Sequence, residues 1–235
     1  KAGKSSYSAV LHGIELLENT GVEFNILTVV HARTARNINK VYSAFRRRGL
    51  RYLQFIPCLD PLGETPGSHP YSLTPKAYGD FLCIRDSFLC RLFDCWWQDL
   101  EKGEAVSIRQ FDNYVQMLLG IPPESCGMSG VCSLQNVVEA DGGVYPCDFY
   151  VTDRYRLGSV NENSFEEIYQ KRQALRFIEE SRVPDPGCAD CRWRALCGNG
   201  CKRYREPRLP DGTFRRNFFC ESYRQFFDYA YPRLC

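Results

Sequence analysis

No apolar run in this sequence is long enough to cross a bilayer, so a membrane partner is not expected. No secretory leader pattern opens it either. No charge sign dominates: 30 Lys and Arg against 28 Asp and Glu leave a net charge of +2, which argues against a nucleic-acid partner. What the chain has in quantity is cysteine. It carries 13 in 235 residues, an odd count in a long chain, whereas secreted disulfide scaffolds are usually short and even-numbered. The cysteines are therefore expected to hold metal in a reducing, cytoplasmic setting. The chain starts abruptly at Lys1 in KAGKSS, so it is expected to be a piece of a longer protein.

The densest stretch is Cys188 to Cys201, CADCRWRALCGNGC. A C-x-x-C turn aims two sulfurs the same way. The glycines between Cys197 and Cys201 can take positive φ and let the backbone fold round a bulky ligand. Upstream, Asp141-Gly142-Gly143 between Ser133–Glu139 and Val144–Val151 is a hairpin signal that places Cys147 in the second strand. Counting Cys126, Cys132, Cys147, Cys188, Cys191, Cys197, Cys201 and Cys220, eight thiolates match two four-coordinate sites. Two zinc ions or two iron–sulfur clusters both fit that count. A zinc ribbon usually pairs two C-x-x-C knuckles and this chain has one, so spacing leans to iron–sulfur. Cys83, Cys90 and Cys95 read as small buried hydrophobes of a helix, and Cys235 as a terminal thiol.

Nearer the N-terminus a helix–glycine–strand unit occurs twice. Ser5 or Ser6 caps a predicted helix to about Asn19, stopped by Gly21, and Val22–Val30 reads as a buried strand. Thr34 caps a second helix to Arg48, stopped by Gly49, and Leu50–Ile56 is a second strand. Two strands joined by such a helix must be parallel. Their ligands lie at the carboxyl ends, here His31 with Arg33 and Pro57 to Asp60. After a proline-rich loop, Lys76–Glu101 predicts one long helix, with Phe81, Leu82, Phe88, Leu89, Leu92, Phe93 and Trp96 on its apolar side. A helix over Ile108–Leu119 follows, and Pro122-Pro123 marks a boundary. Ser164 caps a helix from Phe165 to Ser181, with Phe165, Ile168, Tyr169, Leu175 and Ile178 as a core stripe.

Two spacings stand together: C-x9-G-x4-C from Cys132 through Gly142 to Cys147, and C-x2-C-x5-C-x3-C from Cys188 to Cys201 before a distant Cys220. They resemble the SPASM domain, the auxiliary-cluster domain of radical SAM enzymes that modify peptides and proteins. KAGKSSY, GVEFNILTVV, YLQFIPCLDPLGE and YPCDFYV extend the resemblance over essentially the whole chain, to the anaerobic sulfatase-maturating enzymes. The resemblance implies an α/β chain: the C-terminal part of a partial (β/α)6 radical SAM barrel, then a small α+β iron–sulfur SPASM domain. The divisions would be 1–62 for the last two barrel units, 63–124 for a helical connection and 125–235 for the SPASM domain. Two auxiliary [4Fe–4S] clusters are implied, one on Cys126, Cys132, Cys147 and Cys201, the other on Cys188, Cys191, Cys197 and Cys220. S-adenosylmethionine and a third [4Fe–4S] cluster belong to the full-length enzyme. Its C-x3-C-x2-C signature is absent from these residues, so the chain alone is expected to be inactive.

The implied reaction oxidises a sulfatase active-site Cys or Ser to Cα-formylglycine. A 5′-deoxyadenosyl radical removes a hydrogen from Cβ, a base takes the thiol or hydroxyl proton, and an electron leaves through the clusters. The implied partners are an unfolded or nascent sulfatase polypeptide and an electron donor such as flavodoxin or ferredoxin. Asp148 matches the family's catalytic aspartate because it follows Cys147. On a strand it would point away from the cluster, toward the barrel mouth; spacing alone reads it as a solvated strand aspartate. Leu59 is implied as a backbone contact to S-adenosylmethionine, with His31 a second candidate. Other readings are a different SPASM enzyme forming thioethers or crosslinks, and a non-catalytic module on structural zinc.

Overall fold

The computed structural model describes residues 5–79 and 87–235. Helix α1 (Tyr7–Thr20) ends at Gly21, whose φ of 68° lets its N–H turn back to the Glu18 and Leu17 carbonyls. Strand β1 (Ile26–Val30), helices α2 (Ala32–Arg36) and α3 (Ile38–Arg47), and strand β2 (Tyr52–Pro57) follow. The strands are parallel, Ile26 opposite Leu53 and Val30 opposite Pro57. β1 is shorter than predicted, because the Val22 N–H still belongs to the closing turn of α1, bonded to Leu17 O at 3.1 Å. It is not buried on both faces either: Leu27 and Val29 are exposed. The second helix starts earlier than Thr34. His31 caps it, Nδ1 accepting the N–H groups of Arg33 at 3.2 Å and Thr34 at 3.3 Å, and Asn37 divides it.

The predicted long helix is also divided. Helix α4 (Pro75–Tyr78) stops at Gly79, and α5 (Phe88–Glu101) starts on Ser87, whose hydroxyl accepts the Cys90 N–H at 3.2 Å. Phe81, Leu82 and Cys83 lie outside the described residues. Strand β3 (Ser107–Ile108), too short to show a pattern in the sequence, pairs parallel with β2 as a third strand. Helices α6 (Arg109–Leu118) and α7 (Cys126–Ser129) lead to an antiparallel sheet of β4 (Val137–Val138), β5 (Gly143–Tyr145) and β6 (Gly158–Ser159). The hairpin thus forms on very short strands. Pro146 has no N–H to donate to a ladder, and a 3-10 turn occupies Asp148–Tyr150, so Cys147 lies beyond β5 and not within it.

Helix α8 (Phe165–Leu175) begins in a capping box of Ser164 and Glu167. Arg176, at φ 52°, separates it from α9 (Phe177–Ser181). Ile168 is buried while Phe165 and Tyr169 are exposed, so the apolar stripe is narrower than predicted. After α10 (Arg194–Cys197), the last helix α11 (Cys220–Leu234) packs on α4 and α5. Gly79 permits that approach: a Cβ there would stand 2.7 Å from Ser222 Cα. One apolar cluster joins Phe55, Phe93 and Phe111 to Trp193, Phe219 and Phe226, and so draws on both ends of the chain. Each side chain of this size contributes about 1.5–3 kcal/mol on burial. Among the described residues no helix is long and apolar enough to cross a membrane.

Two candidate thiolate sites

Two separate cavities gather the cysteines. Cys126, Cys132, Cys147 and Cys201 line one of about 190 Å³. Cys188, Cys191, Cys197 and Cys220 line another of about 290 Å³. Cys201 parts from Cys197 because Gly198, Asn199 and Gly200 take φ values of 57°, 73° and 71°, which swings the chain from one cavity to the other. Backbone contact locks that swing in place. A Cβ on Gly130, itself at φ 74°, would lie 1.5 Å from the Gly198 carbonyl oxygen. Only glycine lets the end of α7, which leads to Cys132, sit against the end of α10.

Burial pushes the Cys197 and Cys201 thiols up to about 12, each raised further by the thiols beside it. Burial also raises Cys132, Cys147, Cys188 and Cys220. Such thiols keep their protons until a cation displaces them. Among the described residues no three His, Cys, Asp or Glu stand close enough together to hold a single metal ion. Four thiols lining one cavity match the four thiolate ligands that an iron–sulfur cluster takes.

The surroundings of the two cavities differ. Lys202, buried, lines the first. The second is walled by Trp193 and by Arg192, Arg216 and Arg224, which pair with Asp228, Asp185 and Glu221.

The strand argument for Asp148 fails. At the entry to a 3-10 turn the period of two does not apply, and the Cys147 thiol donates to Asp148 Oδ1 at 3.2 Å. Thiol and carboxylate therefore share the first cavity, with Asp148 exposed at its edge. Gln54 to Pro57, at the carboxyl end of β2, form another wall. There Arg109 Nη1 donates to Gln54 Oε1 at 3.2 Å. Leu59 lies off this space, in a small recess with Asp60, Arg203 and Tyr204. His31 is engaged as a cap, its Nε2 standing 3.2 Å from Thr34 Oγ1. Sequence reading missed Arg109, Tyr150 and Lys202 as wall residues; the one signal was the basic run Lys202-Arg-Tyr-Arg directly after Cys201.

A family model described as SPASM, an iron–sulfur cluster-binding domain, matches residues 126–192. A cysteine-type anaerobic sulfatase-maturating enzyme of Clostridium novyi is 46% identical over 98% of this chain. The chain is a homologue of the anaerobic sulfatase-maturating enzymes. A serine-type enzyme of this family from Bacteroides thetaiotaomicron is 30% identical over 100% of the chain. The chain spans about 60% of the length of the Clostridium relative. The solved structure of native anSMEcpe with bound AdoMet matches at a TM-score of 0.88 and 44% identity, over 98% of this chain and 60% of that one. A further structure of that enzyme holds AdoMet and the Kp18Cys peptide. The α/β architecture, a parallel sheet beside a SPASM domain, is therefore shared with the sulfatase-maturating enzymes, and iron–sulfur binding is the property of the matched domain.

Proposed function

We propose that this chain is the portion of a radical S-adenosylmethionine oxidoreductase that converts a sulfatase active-site residue to Cα-formylglycine. The first cavity carries this reading: four thiols, a carboxylate touching one of them, and the carboxyl end of a parallel strand border one space. Cysteine is the favoured target, since the cysteine-type relative is 46% identical and the serine-type relative 30%. Cys126, Cys132, Cys147 and Cys201 would hold one [4Fe–4S] cluster, and Cys188, Cys191, Cys197 and Cys220 a second. When bound, these groups supply one-electron transfer. Asp148 accepts the substrate's thiol proton on a carboxylate oxygen, from a position open enough for a peptide to reach. Gln54 and Arg109 offer hydrogen bonds to that peptide at the cavity wall.

In a full-length enzyme Leu59 contributes a backbone contact to S-adenosylmethionine, and a third [4Fe–4S] cluster is held outside these residues. The divisions 1–62, 63–124 and 125–235 follow the same reading. The substrate is an unfolded or nascent sulfatase polypeptide, in keeping with the peptide held by the solved relative. Flavodoxin or ferredoxin serves as electron carrier in the cytoplasm, a setting in keeping with 13 cysteines.

The test is Asp148→Asn in an enzyme that joins this region to a C-x3-C-x2-C barrel half. Losing a general base costs about 10²–10⁴-fold. Formylglycine should fall that far while iron content and 5′-deoxyadenosine production persist. Formylglycine near the wild-type yield would remove Asp148 as the base, and iron loss would make it structural. A preparation holding zinc without sulfide would replace the whole reading with a structural module.

A further inference from the structure

We propose that Lys202 and Arg205 set the reduction potential of the first site, favouring electron uptake by a cluster on Cys126, Cys132, Cys147 and Cys201. The inference rests on the reading above and adds two positioning residues to it.

Both cations are 1% exposed. Lys202 Nζ donates to Glu180 Oε2 at 3.0 Å and to Phe177 O at 3.1 Å, and lies 3.8 Å over the Phe177 ring. Arg205 donates to the Ser181 and Val183 carbonyls, each at 3.0 Å. The two carbonyls leave its charge uncancelled, and its buried Nε has no hydrogen-bond partner among the described residues. Glu180 also pairs with Arg208, which has Glu206 as a second partner at 4.0 Å, so two carboxylates stand among three cations, Lys202, Arg205 and Arg208. Lys202 and Arg205 are both tied to the first site. Lys202 borders the cavity directly after Cys201, and Arg205 holds the carbonyl of Ser181, whose hydroxyl accepts the Cys132 N–H at 2.9 Å. At the second cavity the cations lie toward solvent: Arg216 and Arg224, about half exposed, pair with Asp185 at 3.2 Å and Glu221 at 3.3 Å, and Arg194 is exposed.

Taking up one electron makes a cluster one charge more negative. A fixed cation out of water stabilises that state far more than a solvated ion pair does. The step forms and breaks no bond and moves no proton. The electron comes from the substrate carbon being oxidised and leaves to the second site or to a one-electron carrier protein.

The experiment loads the chain anaerobically with iron and sulfide and follows a redox titration by electron paramagnetic resonance. Lys202→Met should lower one midpoint by at least tenfold in the one-electron equilibrium constant, about 59 mV, and leave the other unmoved. Glu180→Gln removes the counter-charge and should raise the same midpoint. Lys202→Arg should restore it. Shifts of the same sign in Lys202→Met and Glu180→Gln, equal shifts at both clusters, or no shift would overturn the inference. Should Lys202→Met fail to assemble the first cluster, the upward shift in Glu180→Gln decides, and its absence counts against the proposal. A wild-type chain that takes up no iron and sulfide overturns the site reading itself. A loaded chain with unmoved potentials overturns only this inference.

Discussion

The two thiol cavities are built in opposite ways. Three thiols of the second, Cys188, Cys191 and Cys197, come from one short stretch, and Cys220 at the start of α11 adds the fourth. The first is composite: Cys126 from α7, Cys132 from the loop after it, Cys147 beyond the hairpin and Cys201 from the far side of α10. A local site needs only its own turns. A composite one needs long-range backbone contacts that leave no spacing signature. The surroundings differ too: the arginines of the second site lie toward solvent, whereas the first has the buried Lys202 in its wall.

Gly130→Ala should expose that difference most strongly. The added methyl would collide with the Gly198 carbonyl oxygen at 1.5 Å, in a left-handed conformation that alanine resists. A loss of more than about 3 kcal/mol is expected by urea unfolding. Gly127→Ala is the control. Its Cβ would meet Cys201 Cβ at 3.4 Å, which a slight shift absorbs, so its cost should be much smaller.

A smaller effect separates the loop beside the first cavity from the second. Burial alone would raise the Asp60 carboxyl, but the N–H groups of Gly67 and His69 at 2.7 and 2.9 Å and the Ser68 hydroxyl at 3.1 Å outweigh it and hold it at about 2. The Asp60 carbonyl in turn receives the Arg203 guanidinium, two residues from Cys201. A carboxyl held below its unfolded value of about 3.9 contributes stability above that value and loses it as pH falls through the folded one. Asp60→Asn should therefore cost about 2 kcal/mol at neutral pH and almost nothing near pH 2. Urea midpoints across that range check the sign. Smaller still, His31→Ala should cost about 1 kcal/mol as a lost helix cap and change the iron content of neither site.

Much of the sheet was legible in the sequence. Gly21 and Gly49 end their helices, and β1 and β2 pair in parallel, because glycine stops and apolar runs act locally. β3 was not legible, since two residues such as Ser107 and Ile108 carry no periodicity. The hairpin turn at Asp141 to Gly143 was legible, but its reach was not: Pro146 ends the ladder early, and with it the alternation argument for Asp148. The count of eight candidate thiols was readable. Their division between two cavities was not readable from spacing, because it depends on Gly130 meeting Gly198 across the fold. Nothing in the sequence marks Lys202 and Arg205 as buried, because the carbonyls of Phe177 and Ser181 in α9 that receive them lie 25 and 24 residues away.

That division is tested most directly by measuring iron and sulfide per chain in anaerobically loaded Cys191→Ala, Cys201→Ala and the double variant. Although Cys191 and Cys201 lie in one dense motif, they line different cavities. Each single variant should lose about half of the wild-type iron and sulfide, and the double variant nearly all, as for two independent Cys₄ clusters. If the double variant retains as much as either single one, Cys191 and Cys201 serve the same cluster and the two-cavity account is wrong.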